Sequence, residues 1–189
     1  MSKIKIATLG NCQTMALCWY IRRLNFECSA KYITGMFSDF LFVKARKTFK
    51  DQIDHNIYDK KQSIDFLSDI DYLIYQKIDP KTCDTWNHEK IPSYLKNDCK
   101  LISVSHMMYD PDDDKFFNGM KQRTLKLNID IPAHKFIETH GCKITMQQNN
   151  HPHAFYFLEL VREICKTTGW PFYKDDQYQN LIKEGYPFG

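Results

Sequence analysis

The sequence predicts an α/β fold, in which a mostly parallel sheet forms the middle layer of a three-layer sandwich. Short apolar runs, each ended by glycine or a polar residue, recur along the chain in the way that buried strands do. Segments with helical periodicity separate these runs, and such alternation favours parallel pairing of the strands. Because 189 residues suffice to bury a substantial core, we expect residues 1–189 to form a single domain.

Each predicted element follows from a local pattern. Apolar clusters predict strands at 3–9, 28–34, 71–75 and 100–105. Helical periodicity predicts helices at 12–24, at 39–69 with a break near Tyr58, near 91–95, at 132–140 and at 153–168. The tail from Tyr173 is predicted to be either a docked helix or partly loose. The segment 106–131 carries Asp-Pro-Asp-Asp-Asp, and we predict that it is irregular, either an acidic turn or a lid over a substrate.

The composition excludes several classes of protein. No apolar run approaches the length of a membrane span, and the N-terminal apolar stretch is too short for a signal peptide, so we expect a cytoplasmic protein. The net charge of +3 comes without a dense basic stripe, which disfavours a nucleic-acid partner. The chain has no glycine-rich dinucleotide motif and no Walker loop, which disfavours dinucleotide-binding and P-loop enzymes.

Seven cysteines are present, an odd number without a Cys-x-x-Cys pair. A cytoplasmic chain of this length is not expected to carry a disulfide framework. A structural zinc site needs paired close ligands, which the chain does not offer, so we expect no metal. Most of the cysteines are therefore expected to be small buried hydrophobic residues.

Polar and reactive residues follow the predicted strands. Gly10 and Asn11 come after the first strand, Gln76 after the third, and Ser105 and His106 after the fourth. Ligands of parallel α/β sheets bind at the carboxyl ends of the strands. We therefore expect these residues to lie at the edge of the sheet that binds a ligand.

Cys12 is the first candidate for chemistry. The order strand, Gly10, Asn11, Cys12, helix is the geometry of a nucleophile turn. A helix N-terminus lowers the pKa of a thiol, and its N–H groups can hold a developing oxyanion or an anion such as phosphate. The alternative is a structural cysteine buried behind a helix cap.

His151 is the second candidate, within the run Asn-Asn-His-Pro-His at 149–153. Pro152 suits the first position of the following helix, which puts His151 at or near the N-cap. The positive end of the helix dipole disfavours the imidazolium form, and a neutral imidazole is what a general base needs. His153 points elsewhere on the helix and is the weaker candidate, and a structural role is the alternative for both.

Three motifs together resemble the WcbI family of polysaccharide-biosynthesis enzymes. They are Gly10-Asn11-Cys12-Gln13 after a strand, Tyr75-Gln76 at the end of an apolar strand, and Asn149-Asn150-His151-Pro152 before a helix. The resemblance covers roughly residues 3–168 and is thin between the motifs. It implies a sandwich similar to those of the SGNH hydrolases and flavodoxins, which binds coenzyme A (CoA) and acetylates sugars.

The resemblance also implies roles for the candidate residues. Cys12 takes the position of the SGNH serine and His151 that of the late histidine. The residues expected to bind CoA are Gly10, Asn11, Gln13 and Gln76, and Gln76 would sit near an oxyanion-hole position. The residues expected to bind the acceptor are Ser105, His106 and His153. Gln148 stands where the SGNH pattern has an aspartate, so His151 lacks a carboxylate that would orient it.

Two mechanisms follow for an acetyl transfer to a sugar or nucleotide sugar, on nitrogen or oxygen. In the first, the Cys12 thiolate takes the acetyl group from acetyl-CoA, and His151 then deprotonates the acceptor. In the second, His151 acts directly within a ternary complex and Cys12 only positions the thioester. The residue bias typical of AT-rich coding suits a giant virus, and the chain resembles a domain that acetylates an amino sugar such as viosamine in a viral glycan pathway.

Two other functions remain open. An acyl-ester hydrolase on the same scaffold would use water in place of the sugar and would show turnover without affinity for CoA. A non-catalytic module that binds CoA or a glycan, such as a domain cut from a larger glycan enzyme, would show no rate change on replacement of Cys12 or His151.

Overall fold

Strands and helices alternate along the chain in the computed structural model, which describes residues 3–24, 27–33, 56–57, 60–78, 80–81, 86–107, 112–142 and 152–185. The strands are β1 (Ile4–Leu9), β2 (Cys28–Ile33), β3 (Asn56–Ile57), β4 (Tyr72–Gln76) and β5 (Lys100–Val104). The helices are α1 (Cys12–Leu24), α2 (Lys60–Leu67), α3 (Asp113–Leu127), α4 (Ala133–His140), α5 (Ala154–Thr168) and α6 (Asp176–Glu184), with a 3₁₀ turn at Ile91–Tyr94.

The strands form one sheet in the order β3-β2-β1-β4-β5. β1 pairs in parallel with both β2 and β4, and β2 pairs in parallel with β3. Without the two-residue edge strand β3, the order is that of the flavodoxin type of doubly wound sheet. The predicted α/β fold with a mostly parallel sheet is confirmed.

The sheet order creates a switch point beside β1. The chain passes from β1 to β2 on one side, whereas β4 lies on the other side of β1. Connections that leave in opposite directions open a crevice at the carboxyl ends of the two central strands, and ligands of such sheets bind there. We therefore expect a ligand site at the ends of β1 and β4, at Leu9 and Gln76.

The described chain divides into two compact units. Unit one comprises Met1–Cys18 and Glu27–Ile102. Its core consists of apolar side chains from the sheet, from the end of α2 and the turn after it, and from the segment after β4, which are Ala7, Leu9, Ile33, Leu67, Ile70, Leu73, Tyr75, Ile78, Trp86 and Ile91. At the amino edge of the sheet, Asp71 accepts hydrogen bonds from Lys5 N–H (2.8 Å) and Lys96 Nζ (2.7 Å), and both hold the pKa of its carboxyl below the usual value.

Unit two comprises Trp19–Phe26 and Ser103–Gly189 and is rich in aromatic packing. Tyr20 stacks on Phe157 with ring centroids 5.4 Å apart. The carboxylate of Glu159 is buried within α5, where Arg162 (2.8 Å), Lys174 (3.0 Å) and the Tyr178 hydroxyl (3.1 Å) surround it. This network fixes α6 to α5, because a buried carboxylate is stable only when it is paired and hydrogen-bonded.

The prediction of an irregular segment at 106–131 is wrong, because most of it forms α3. Asp112 caps this helix, since its side chain accepts the N–H of Lys115 at 3.0 Å, and Asp113 and Asp114 occupy the first turn, where negative charge is favoured. The acidic run is thus a helix start signal. The buried stripe Phe116, Met120 and Thr124 completes the amphipathic pattern.

Other predicted elements agree with the structure to within a residue or two at most boundaries. α1 has the predicted bounds, and of the two alternatives for the tail the structure shows the docked helix, α6. In the region predicted to hold two helices, α2 is present, but residues 56–57 form strand β3 instead, and residues 39–55 lie outside the described residues. Within the described ranges, no helix combines the length and apolarity needed to cross a bilayer.

Candidate functional site

The turn from β1 to α1 is fixed by Asn11, which is the N-cap of the helix. Its side-chain Oδ1 accepts the N–H of Gln13 at 2.9 Å. Its backbone carbonyl accepts the N–H groups of Thr14 (3.0 Å) and Met15 (3.2 Å) and the Thr14 hydroxyl (2.8 Å). Asparagine is among the best N-cap residues for this reason, and it makes Cys12 the first residue of the helix, as predicted.

Gln76 ties this turn to the neighbouring strand. It is the last residue of β4, and its side chain is buried, with 2% of the residue exposed. Its Oε1 accepts the N–H of Asn11 at 3.0 Å, and its Nε2 lies 3.4 Å from Gln13 Oε1, to which it donates. Both ends of the amide are therefore directed at the turn, which Gln76 joins to β4.

Gly10 is required by the same close packing. A Cβ atom at this position would lie 2.6 Å from both Gln76 Oε1 and Thr14 Oγ1, which is closer than real Cβ contacts come. The carbonyl of Gly10 accepts the Tyr32 hydroxyl at 2.9 Å, a bond that is buried. Glycine thus lets the backbone pass between two strands and the first helical turn.

Cys12 is partly exposed on this turn, at the switch point of the sheet. A partly exposed thiol at the first position of a helix can be reached by a ligand. The N–H groups of Asn11 and Gln13 already have acceptors, which are Gln76 Oε1 and Asn11 Oδ1. They are thus not directed at an oxyanion beside Cys12 in this conformation.

Ser105 and His106 follow β5 and belong to unit two. Ser105 is buried, and its hydroxyl oxygen accepts the N–H of Ala133 at 2.9 Å at the start of α4. The His106 carbonyl accepts Arg123 Nη1 at 3.4 Å. Burial, reinforced by the Arg123 charge, lowers the pKa of His106 to about 4, so this imidazole is neutral at physiological pH.

The start of α5 differs from the predicted one. The helix begins at Ala154, its N-cap is His153, and Pro152 precedes the cap rather than opening the helix. The carbonyl of His153 accepts the N–H of Tyr156 at 3.0 Å, and its imidazole makes no capping bond. His151 comes two residues before the cap and, like residues 143–150, lies outside the described residues.

The structure brings Gly10, Asn11, Gln13 and Gln76 together in unit one, around the backbone of Cys12. Their binding roles stay predictions, as do those of Ser105, His106 and His153 in unit two. Sequence reasoning missed Thr14 and Tyr32, which hold the same turn. The sequence gives no local signal for Tyr32, since its hydroxyl reaches Gly10 only through the parallel pairing of β1 with β2.

No family model matches the chain, and no curated protein matches it in sequence. The match to a solved structure of WcbI covers 89% of this chain and 70% of the WcbI chain, with a TM-score of 0.62 and 14% sequence identity. The chain has a WcbI-like fold. WcbI is described as a novel polysaccharide biosynthesis enzyme. The matched structure is that of the native protein without a disulfide bond between CoA and one of its cysteines. The predicted links to SGNH hydrolases and to a giant virus stay predictions.

Proposed function

We propose that this chain is an acyltransferase that moves an acetyl group from acetyl-CoA to a sugar or nucleotide sugar in glycan biosynthesis. The observation that carries the proposal is the β1–α1 turn, which presents a partly exposed Cys12 at the switch point of the sheet. The same fold occurs in a polysaccharide biosynthesis enzyme whose description pairs CoA with a cysteine. Cys12 is the residue of this chain that we assign to meet the CoA sulfur.

We assign the chemistry to a direct transfer within a ternary complex. The acceptor oxygen or nitrogen attacks the thioester carbonyl, the carbon–sulfur bond breaks, and CoA leaves as its thiolate. His151 takes the proton of the acceptor, which is the role of a general base. Cys12 and the turn around it position the thioester and are not acylated.

Direct transfer and an acyl-enzyme both pass through a tetrahedral oxyanion at the thioester carbonyl, so hydrogen-bond donors do not distinguish them. The N–H groups of Asn11 and Gln13 are directed at Gln76 Oε1 and Asn11 Oδ1, and Gln76 Nε2 donates to Gln13 Oε1. We assign direct transfer because it needs one attack at a carbonyl, whereas an acyl-enzyme needs two.

Thermal unfolding with and without CoA and acetyl-CoA tests the donor. A ligand at 100 times its Kd adds about 2.7 kcal/mol to the free energy of unfolding. For a chain of this size that corresponds to a rise in Tm of roughly 5–10 °C. We expect this rise with both CoA and acetyl-CoA, and no rise at millimolar concentrations of either would overturn the transferase proposal.

Disulfide exchange tests the place of Cys12. Incubation with oxidised CoA dimer lets the Cys12 thiolate attack the dimer, forming a mixed disulfide and releasing one CoA thiolate. We expect one CoA adduct by intact-protein mass spectrometry, lost in Cys12→Ser. Cys28→Ser is the matched control, because Cys28 is also partly exposed and in unit one but begins β2 at the opposite edge of the sheet. Equal adducts in both variants would remove Cys12 from the CoA site.

A further inference from the structure

Unit two contains a cleft that is lined by none of the candidate site residues described above. It lies between α4 and α5 and has a volume of about 280 Å³. The volume is at the lower end of the range for ligand pockets, roughly 300–1,000 Å³, and is too small for a molecule of the size of CoA. A ligand of one sugar ring has the right size.

The charges that line this cleft are balanced. Lys135 and Arg162 supply two positive charges, and Asp130 and Glu163 supply two negative ones. Arg162 is already paired, with its Nη2 at 2.8 Å from the buried carboxylate of Glu159 and 3.3 Å from Glu163. A phosphate would find no excess of positive charge here, so a neutral ligand is favoured over an anionic one.

Fixed polar groups stand around an apolar wall in the cleft. Asp130 Oδ2 accepts both the N–H (2.8 Å) and the hydroxyl (2.7 Å) of Ser103, which holds this carboxylate in place. The Thr139 hydroxyl donates to Lys135 O at 2.9 Å, and its oxygen keeps lone pairs for a further donor. Phe136 lines the cleft with a small apolar edge, since 8% of the residue is exposed. Carboxylates and hydroxyls that accept from a ligand, beside an apolar edge, suit the alternating hydroxyl and C–H surfaces of a saccharide.

We propose that the cleft between α4 and α5 binds a neutral monosaccharide unit, either free or within a glycan. This goes beyond the proposed transfer reaction, because the site lies wholly within unit two and uses neither Cys12 nor CoA. Asp130 and Glu163 accept hydrogen bonds from sugar hydroxyls, Lys135 and Arg162 donate to them, and only the exposed edge of Phe136 contacts the sugar.

Binding of neutral methyl glycosides tests the site. The probes are the methyl glycosides of glucose, galactose, mannose and N-acetylglucosamine, and glucose 1-phosphate is the charged comparison. Saturation-transfer NMR detects binding, and titration calorimetry gives Kd, in both cases with the full chain and no CoA. We expect at least one neutral glycoside to bind with Kd on the order of millimolar, and more tightly than glucose 1-phosphate.

Two variants locate the binding. Glu163→Gln keeps the shape of the side chain but removes its charge, and we expect about a tenfold weaker Kd. Thr139→Trp fills the cleft from an exposed position of α4 and abolishes binding. Glu138→Gln is the matched control, because Glu138 is exposed on the same helix and does not line the cleft, so its Kd stays that of the wild type.

Three results would overturn the proposal. They are no binding of any neutral glycoside at about 50 mM, tighter binding of glucose 1-phosphate, and unchanged binding in Thr139→Trp. The rise in Tm with CoA, measured on the same samples, separates this proposal from the transferase proposal. A sample that gains stability with CoA but binds no glycoside overturns the saccharide site alone.

Discussion

Gln76 Oε1 accepts the backbone N–H of Asn11 at 3.0 Å, which joins the end of β4 to the residue before Cys12. The bond crosses the switch point of the sheet, where the carboxyl ends of β1 and β4 lie side by side. The candidate nucleophile turn is thus held by a buried amide on a neighbouring strand, in addition to its own N-cap.

Replacing Gln76 with leucine is expected to destabilise the protein by about 1–3 kcal/mol, because the N–H of Asn11 loses its acceptor. We also expect weaker binding of CoA, since the turn that carries Cys12 is no longer fixed. Urea unfolding and the rise in Tm with CoA measure the two effects. Gln122→Leu, on the exposed surface of α3, is the matched control and leaves both unchanged. Equal urea midpoints for the two variants would contradict the role of Gln76.

Replacement by alanine is expected to lower the stability of the protein at Gly10 and to raise it at Gly119. Gly10→Ala places a methyl group 2.6 Å from Gln76 Oε1, so overpacking lowers stability by about 1–3 kcal/mol. Gly119 lies within α3, where a Cβ meets no described atom within 4 Å, so alanine raises stability by about 0.5–1 kcal/mol. Urea unfolding of both variants checks the pair, and a stable Gly10→Ala would show that the turn can move.

Acid is expected to destabilise the protein in part through His106. Burial and Arg123 lower its pKa from 6.5 to about 4, so between these values the unfolded chain binds a proton that the folded chain does not. Stability therefore falls as the pH drops through this window. His134, whose pKa burial also lowers, acts in the same direction. We expect His106→Gln to lose less stability than wild type between about pH 7.5 and pH 5 in urea unfolding. An equal loss would contradict the assignment.

Cys12→Ala separates the two transfer mechanisms. Under direct transfer we expect kcat to stay within about tenfold of wild type while KM for acetyl-CoA rises, because the residue binds the thioester without being acylated. Steady-state kinetics and peptide mass spectrometry after incubation with acetyl-CoA alone provide the measurements, with Cys28→Ala as the control. An acetylated Cys12 together with loss of nearly all activity would establish the acyl-enzyme instead.

His151→Ala is expected to lower kcat by about 10²–10⁴-fold, the usual contribution of a general base. The loss should be largest near neutral pH and smaller at high pH, where the acceptor deprotonates more readily. His153→Ala, from the same run of sequence, is the comparison, and as a residue predicted on the acceptor side it should keep kcat within about tenfold and raise only KM for the acceptor. A normal kcat in His151→Ala would move the base elsewhere, with the neutral imidazole of His106 the next residue to replace.

The local part of the candidate site could be predicted from sequence. Asn11 is a strong N-cap residue and Gly10 ends an apolar strand, so the start of α1 at Cys12 follows from short-range rules. The same rules are ambiguous at 106–131, where the acidic run predicts a turn or a lid, whereas in the structure Asp112 caps α3 and Asp113 and Asp114 begin it. The reason is that acidic residues favour both turns and first helical turns, and only the buried stripe from Phe116 distinguishes the two.

The sequence by itself determined the α/β class, the parallel strands and the position of Cys12 at a helix start, because these depend on periodicity and on neighbours within a few residues. Only the tertiary structure decided that Gln76 and Tyr32 hold the turn, since β4 and β2 come from distant parts of the chain and their pairing with β1 sets which side chains meet. The cleft between α4 and α5 is likewise a product of helix packing, because its charged residues come from separate segments that have no shared motif.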